Sequence, residues 1–164
     1  MARLMALDVG EARIGVAISD ATGFLASPYT TLHLSRDEAQ TWTTIQRLID
    51  ETEAAELIIG LPISLDGEIH SQGKRIQAFA ERLKEHITIP VTFWDERLST
   101  VEAERLLAQR EEAKQGKRDR AGSGRKRLRT GRRRKQQEID ALAATVILQE
   151  YLDHQLSKAK GTDV

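Results

Sequence analysis

The chain has 164 residues, no cysteine, and equal numbers of basic and acidic side chains, 25 of each. This length suits one domain with one hydrophobic core, and the lack of cysteine excludes a disulfide framework and a thiolate zinc site. Because no apolar run approaches the roughly 20 residues of a membrane span and the N-terminus lacks a signal-peptide pattern, we expect a cytoplasmic protein without a membrane contact.

The first part of the chain predicts three β-strands. Residues 3–9 are apolar on both faces, which is typical of a strand at the centre of a covered sheet. A tight turn containing Gly10 joins them to a second predicted strand at residues 13–19. Residues 27–34 predict a third strand, with Pro28 at its start or on a sheet edge because proline has no N–H to donate.

Helices and strands alternate over the rest of the chain. Ser35 and Glu38 have the spacing of a capping box, which predicts a helix that begins after Ser35 and ends at about Thr52. The further predicted elements are strands at 55–62 and 89–98 and helices at 71–86, 99–113 and 136–156. This order predicts a mixed sheet covered by helices, in one domain over residues 1–156 with a polar tail over residues 157–164.

The basic residues are concentrated in one segment. Residues 117–135 contain eleven lysines and arginines and one aspartate, so the rest of the chain carries a matching acidic excess. The segment has no apolar period, which predicts a flexible loop over about residues 114–135. Such a charge asymmetry is typical of a nucleic-acid-binding protein.

This basic segment supplies most of the candidate phosphate contacts. It contains no aromatic residue, so we expect it to recognise backbone or shape rather than to stack on bases. Binding through phosphates would release counterions and depend strongly on salt. The candidates are Arg125, Lys126, Arg127, Arg129, Arg132, Arg133, Arg134 and Lys135, together with Arg13 and Arg97 elsewhere in the chain.

Acidic residues in three places are candidates for chemistry. Asp8 lies within an apolar strand, where a carboxylate is costly unless it caps the strand end or holds a cation. Asp95 and Glu96 lie near the end of the last predicted strand. Asp140 lies in the first turns of the last helix, above apolar positions at helical spacing that place it beside the buried face.

These acids would form a metal site if the fold brought them together. If the first strand and the strand carrying Glu96 were neighbours, three carboxylates would converge and repel one another. Two Mg²⁺ or Mn²⁺ ions would relieve that repulsion and could support phosphodiester cleavage. Each acid also fits a structural role, as a turn residue for Asp8, a local ion pair for Asp95 with Glu96, or a helix-dipole partner for Asp140.

Four ordered segments resemble a known family. "LDVGEARIGVAISD", "GLPISLDG", "DERLST" and "IDALAATVILQEYLD" are similar to the motifs of the YqgF/RuvX family and span about residues 3–153. Its members are described as Holliday junction resolvases and as nucleases of precursor small-subunit ribosomal RNA. The resemblance implies a ribonuclease H-like fold, with a five-stranded mixed sheet flanked by helices.

The resemblance also implies a ligand set. An Asp, Glu, Asp trio falls on Asp8, Glu96 and Asp140, with Asp95 as the less favoured alternative to Glu96. The basic loop before Asp140 is longer than the resemblance leads one to expect. Four histidines share no metal-ligand spacing and are interpreted as surface or structural residues: His33, His70, His86 and His154.

These observations lead to one main functional hypothesis and two alternatives. We expect a metal-dependent endonuclease acting on structured nucleic acid, with ribosomal RNA precursors as the first choice of substrate and branched DNA as the second. A non-catalytic nucleic-acid-binding module is the main alternative. A sugar-kinase-like phosphotransferase is disfavoured, because that fold needs two domains and a second glycine-rich motif. The chain would be a monomer or a homodimer, and resolving a junction would require two sites and hence a dimer.

Overall fold

The structure, a computed structural model, describes residues 2–63, 66–95 and 128–161, and for residues 128–133 it describes the backbone alone. The predicted helix at 99–113 and the start of the predicted basic loop lie outside these ranges. The elements in chain order are β1 (Arg3–Val9), β2 (Arg13–Ser19), β3 (Ala26–His33), α1 (Glu38–Thr52), β4 (Ala54–Leu61), α2 (Ser71–Lys84), β5 (Val91–Asp95) and α3 (Leu128–Gly161).

The strands form one five-stranded sheet in the order β3-β2-β1-β4-β5. The first three strands pair antiparallel, whereas β4 and β5 run parallel to β1. The predicted mixed sheet is therefore confirmed. The condition considered for the metal site, that the first strand and the last strand are neighbours, is not met, because β4 lies between β1 and β5 and separates them by about 10 Å, two strand spacings.

The two faces of the sheet pack against different helices. Large apolar residues face α1 and α2, which contribute Trp42, Ile45, Leu48 and Ile49, and Ile76, Phe79, Ala80 and Leu83. On the other side, Ala6 and Ala17 face α3, together with the larger Ile58 and Trp94. Since successive side chains of a strand point to opposite faces, this alternation fixes which residues α3 can contact.

Helix α1 begins later than its sequence pattern predicts. Asp37, not Ser35, is the N-cap, because its carboxylate accepts a hydrogen bond of 3.0 Å from the Ala39 N–H. Ser35 instead accepts a 3.2 Å hydrogen bond from the Asp37 N–H through its hydroxyl. Aspartate and serine are equally good N-cap residues, so the helix is capped by Asp37, which directly precedes its first residue, Glu38. The predicted end at Thr52 is confirmed.

The cap assignment can be tested by two substitutions. We expect Asp37→Ala to lower the free energy of unfolding by about 1 kcal/mol, because it removes the partner of a helix N–H. Ser35→Ala should cost clearly less, since Ser35 supports the loop rather than the helix. Chemical denaturation of both variants measures the difference. A larger loss of unfolding free energy in Ser35→Ala would show that Ser35, and not Asp37, caps the helix.

The edge strand β3 confirms the expectation for Pro28. This residue lies opposite Ala17, where the pairing of β2 with β3 shifts register between Val16 and Ala17. An outer strand tolerates proline because its free side needs no N–H for the ladder.

Helix α3 is longer than predicted at both ends. Residues 128–135 were expected to belong to a flexible loop, and residues 157–161 to a polar tail, yet both are helical. Lysine and arginine have good helix propensity, and extending a helix that packing already holds costs little. None of the helices in the described ranges combines the length and apolar character needed to cross a bilayer.

Candidate active site at the carboxyl edge of the sheet

The parallel strands β1, β4 and β5 end at the same edge of the sheet. Leu7 pairs with Ile59, and Ile59 pairs with Phe93. One residue further along, Asp8 is level with Gly60, which pairs with Trp94. The polar residues at these strand ends therefore lie along one edge, where an α/β sheet commonly binds its ligand.

Asp8 belongs to the face that α3 covers. It pairs directly with Gly15 of β2, and opposite residues of an antiparallel pair share a face. A Cβ atom added at Gly15 would overlap the backbone carbonyl oxygen of Asp140. Gly15 thus lets α3 approach the sheet beside the half-buried Asp8 and brings Asp140 to the same place.

The carboxylate of Asp140 is held by two donors. Arg13 Nε donates to Oδ2 at 2.7 Å, and Gln136 Nε2 donates to Oδ1 at 3.3 Å. The Asp140 side chain is only 18% exposed and that of Arg13 33% exposed. A carboxylate so covered needs a compensating charge, and Arg13 supplies it.

Arg13 also lies near Asp8. Gly10 N–H donates to the Arg13 carbonyl oxygen at 2.8 Å, which closes the hairpin between β1 and β2. Arg13 is two residues from Gly15 and is therefore diagonal to Asp8, at a Cα separation of about 7 to 8 Å. Arg13 therefore pairs with Asp140 through its side chain, while its backbone lies on the strand next to Asp8.

Of the two remaining candidate acids, the structure describes Asp95 but not Glu96. Asp95 is half-buried at the end of β5. Phe93 packs with the α1 and α2 core and Trp94 with the α3 core, so alternation puts Asp95 on the face away from Asp8 and Asp140. Glu96 lies outside the described residues.

The candidate phosphate-binding residues are also only partly described. Arg97, Arg125, Lys126 and Arg127 lie outside the described residues, and Arg129, Arg132 and Arg133 belong to α3 by their backbone alone. Arg134 and Lys135 are exposed on α3. Arg134 lines a groove between β3 and α3 together with Tyr29 and Thr31.

Two residues near the site had no sequence signal. Arg75 of α2 donates from Nη1 to the Gly10 carbonyl oxygen at 3.3 Å. Its Nη2 is buried and has no hydrogen-bond partner within the part of the chain that the structure describes. Gln136, which donates to Asp140, follows directly after the basic segment and is recognisable as its partner only once the helix is known.

The loop before α2 carries a second polar group that the sequence analysis also missed. Asp66, Glu68 and His70 are exposed, and their potential ligand atoms lie within 4.8 Å of one another. The Glu68 N–H donates to Asp66 at 2.9 Å and lowers the pKa of that carboxyl below its usual value. The chain turns at Gly67, which has a positive φ of 80°, and His70 Nε2 lies 3.3 Å from Asp66 Oδ2.

Comparison with known proteins decides the family. The family model described as "RuvX: Holliday junction resolvase" matches residues 2–154. This chain belongs to the RuvX family. The five-stranded mixed sheet with covering helices that the resemblance implies is confirmed.

Individual relatives are similar along nearly their whole length. RuvX relatives named "Putative pre-16S rRNA nuclease" include one from Thermoanaerobacter pseudethanolicus, 40% identical over 95% of this chain and 99% of the relative. Another, from a Roseiflexus species, is 39% identical over 93% of this chain and 95% of the relative. A solved structure of T. thermophilus RuvC in complex with Holliday junction substrate covers 95% of this chain and 96% of its own, with 13% identity and a TM-score of 0.49.

Proposed function

We propose that this RuvX family member is a metal-dependent endonuclease that processes ribosomal RNA precursors. The observation that carries the proposal is the meeting of Asp8 and Asp140 on one face of the sheet edge, around Arg13. The relatives' name as pre-16S rRNA nucleases supports the choice of reaction and of substrate.

The donor set fits a hard divalent cation. Carboxylate oxygens suit Mg²⁺ and Mn²⁺, and the chain has no cysteine to favour a softer metal. Asp140 is mostly covered and already takes a cationic partner, which marks its position as one where positive charge is stable. We propose Asp8, Glu96 and Asp140 as the ligands of two ions, which when bound would supply an activated water and neutralise charge on the phosphate.

Glu96 suits the third position better than Asp95. Alternation along β5 assigns Asp95 to the face opposite Asp8 and Asp140, which argues against Asp95 as a ligand. On β4, Gly60 lies between Asp8 of β1 and Trp94 of β5, and as a glycine it places no side chain between the two outer strands. Because β4 separates β5 from β1, the longer glutamate side chain is better suited than aspartate to reach a metal ion shared with Asp8.

The substrate would be held mainly through its phosphates. We propose Arg13, Arg97, Arg134 and Lys135, with the basic residues of segment 125–133, as phosphate contacts. Exposed cations beside the carboxylate edge would offset repulsion between the acidic site and the nucleic acid. Branched DNA is the second candidate substrate, because the family description names Holliday junction resolvases.

A matched pair of variants tests the catalytic assignment. We expect Glu96→Gln to lose about a hundredfold or more of Mn²⁺-dependent cleavage, because a metal ligand contributes several kcal/mol to the transition state. Asp95→Asn should keep most of the activity, since its side chain belongs to the other face. Substrates are a precursor ribosomal RNA fragment and a four-way DNA junction, and equal losses in both variants would contradict the assignment.

The alternative, a binding module without catalysis, predicts a different result. It retains nucleic-acid binding but gives the carboxylates no metal. Isothermal titration with Mn²⁺ in the absence of nucleic acid separates the two, because a nuclease of this type should bind the ion and should bind it measurably more weakly in Asp140→Asn.

A further inference from the structure

We propose that Arg13 competes with the divalent ion for Asp140, so that it sets metal affinity and couples metal binding to substrate binding. This inference rests on the proposed function, because it assumes that Asp140 is a metal ligand. Arg13 is then a positioning residue whose contact changes during the reaction cycle.

The competition follows from the contacts of the Asp140 carboxylate. Both of its oxygens already accept a hydrogen bond, one from Arg13 at 2.7 Å and one from Gln136 at 3.3 Å. An ion bound through Oδ2 would lie about 2.1 Å from the atom that Arg13 now contacts. Two cations that share one oxygen repel each other, so the guanidinium must withdraw when the ion binds there.

The backbone around this ion pair cannot provide the movement. Helix α3 is locked against β2 by the close contact of Gly15 with Asp140. It is also tied to β3, because Thr31 Oγ1 donates to the Gln137 carbonyl oxygen at 2.7 Å. The Arg13 backbone is held in the hairpin by Gly10.

The side chain of Arg13 is the part that can move. It is one-third exposed and can rotate toward solvent while its backbone remains in place. A released guanidinium at this edge would be available to a phosphate of the substrate, which it can bind through two parallel hydrogen bonds. Nucleic acid would therefore draw Arg13 away from Asp140 and strengthen metal binding, and by reciprocity the metal would strengthen nucleic-acid binding.

The test measures Mn²⁺ affinity of the full-length protein by isothermal titration, first without nucleic acid. We expect Arg13→Gln to bind Mn²⁺ about threefold to fivefold more tightly than the parent, the size typical of losing a partly exposed ion pair. Arg47→Gln is the matched control, because Arg47 pairs with Glu51 at 3.7 Å on exposed α1, away from the site. That variant should bind Mn²⁺ as the parent does.

Two further measurements separate this role from a merely structural one. An RNA with 3′-methylenephosphonate linkages, which keep the charged oxygens but have no 3′ oxygen to leave, should raise the Mn²⁺ affinity of the parent protein but raise it clearly less in Arg13→Gln. In an Asp140→Asn background, Arg13→Gln should have no further effect on Mn²⁺ affinity, because the two residues act through one contact. The Mn²⁺ affinity of Arg13→Lys, which keeps the charge, should fall between those of the parent and Arg13→Gln. If the glutamine variant is unstable, the lysine variant takes its place in the comparison.

The outcomes are distinct. Unchanged or weaker Mn²⁺ binding in both Arg13 variants, with normal binding in the parent, would overturn the competition and leave the proposed nuclease function standing. A parent protein that binds no Mn²⁺ would instead remove the proposed metal site, and this inference with it.

Discussion

Replacing Asp8 by asparagine is expected to reduce cleavage by about a thousandfold or more while nucleic-acid binding persists, since metal-supplied stabilisation of several kcal/mol is lost. Asparagine has nearly the same shape but no charge, so it removes the attraction for a divalent ion without creating a cavity. Phosphate contacts elsewhere on the protein remain intact, and an electrophoretic mobility shift should show binding close to that of the parent.

The control for this substitution is Asp153→Asn. Asp153 is exposed further along α3 and accepts a hydrogen bond from Gln149 at 3.0 Å, away from the sheet edge. It tests the same chemical change on a carboxylate outside the site and should leave cleavage unaltered. If Asp8→Asn retained full cleavage with a normal thermal unfolding transition, the proposed catalytic site would be wrong.

Replacing Gly15 by alanine is expected to cost about 2 to 3 kcal/mol of unfolding free energy, the upper part of the range for overpacking. The added Cβ would meet the backbone of Asp140, which cannot rotate away as a flexible side chain could. Helix α3 must then shift relative to β2, and its apolar contacts with Ala6 and Ala17 would loosen.

The same substitution should also impair the chemistry. A displacement of about 1 Å at a positioned group can reduce a rate by about a hundredfold. Gly161→Ala is the matched control, because a Cβ at the exposed end of α3 meets nothing within 4 Å. Denaturant unfolding should show little change for that variant, and an equally small loss for Gly15→Ala would mean that the contact with Asp140 is not tight.

The fold could be predicted well where the local pattern and the packing agree. The buried residues of α1 and α2 recur at helical spacing, so the inward face of each helix can be predicted from the sequence alone. The start of α1 was not, because Ser35 and Asp37 are both good caps and only the path of the chain into the helix distinguishes them.

Strand order was the main feature of the sheet that local patterns did not predict. A run of apolar residues predicts a strand but says nothing about its neighbours, and β4 was not expected between β1 and β5. The consequence for the candidate site is direct. The sequence places Asp8 and Asp95 on different strands, but that they lie on opposite faces of the sheet, with β4 between their strands, is not visible without the sheet topology.

The sequence by itself determined the class of fold, the family and the list of acidic and basic candidates, because periodicity and motif order are local properties of the chain. Only the tertiary structure decided that Asp140 is paired with Arg13 and that Gly15 makes room for α3 beside Asp8. The physical reason is that these contacts join segments more than a hundred residues apart, where helix-to-sheet packing and strand register, rather than residue type, determine which groups meet.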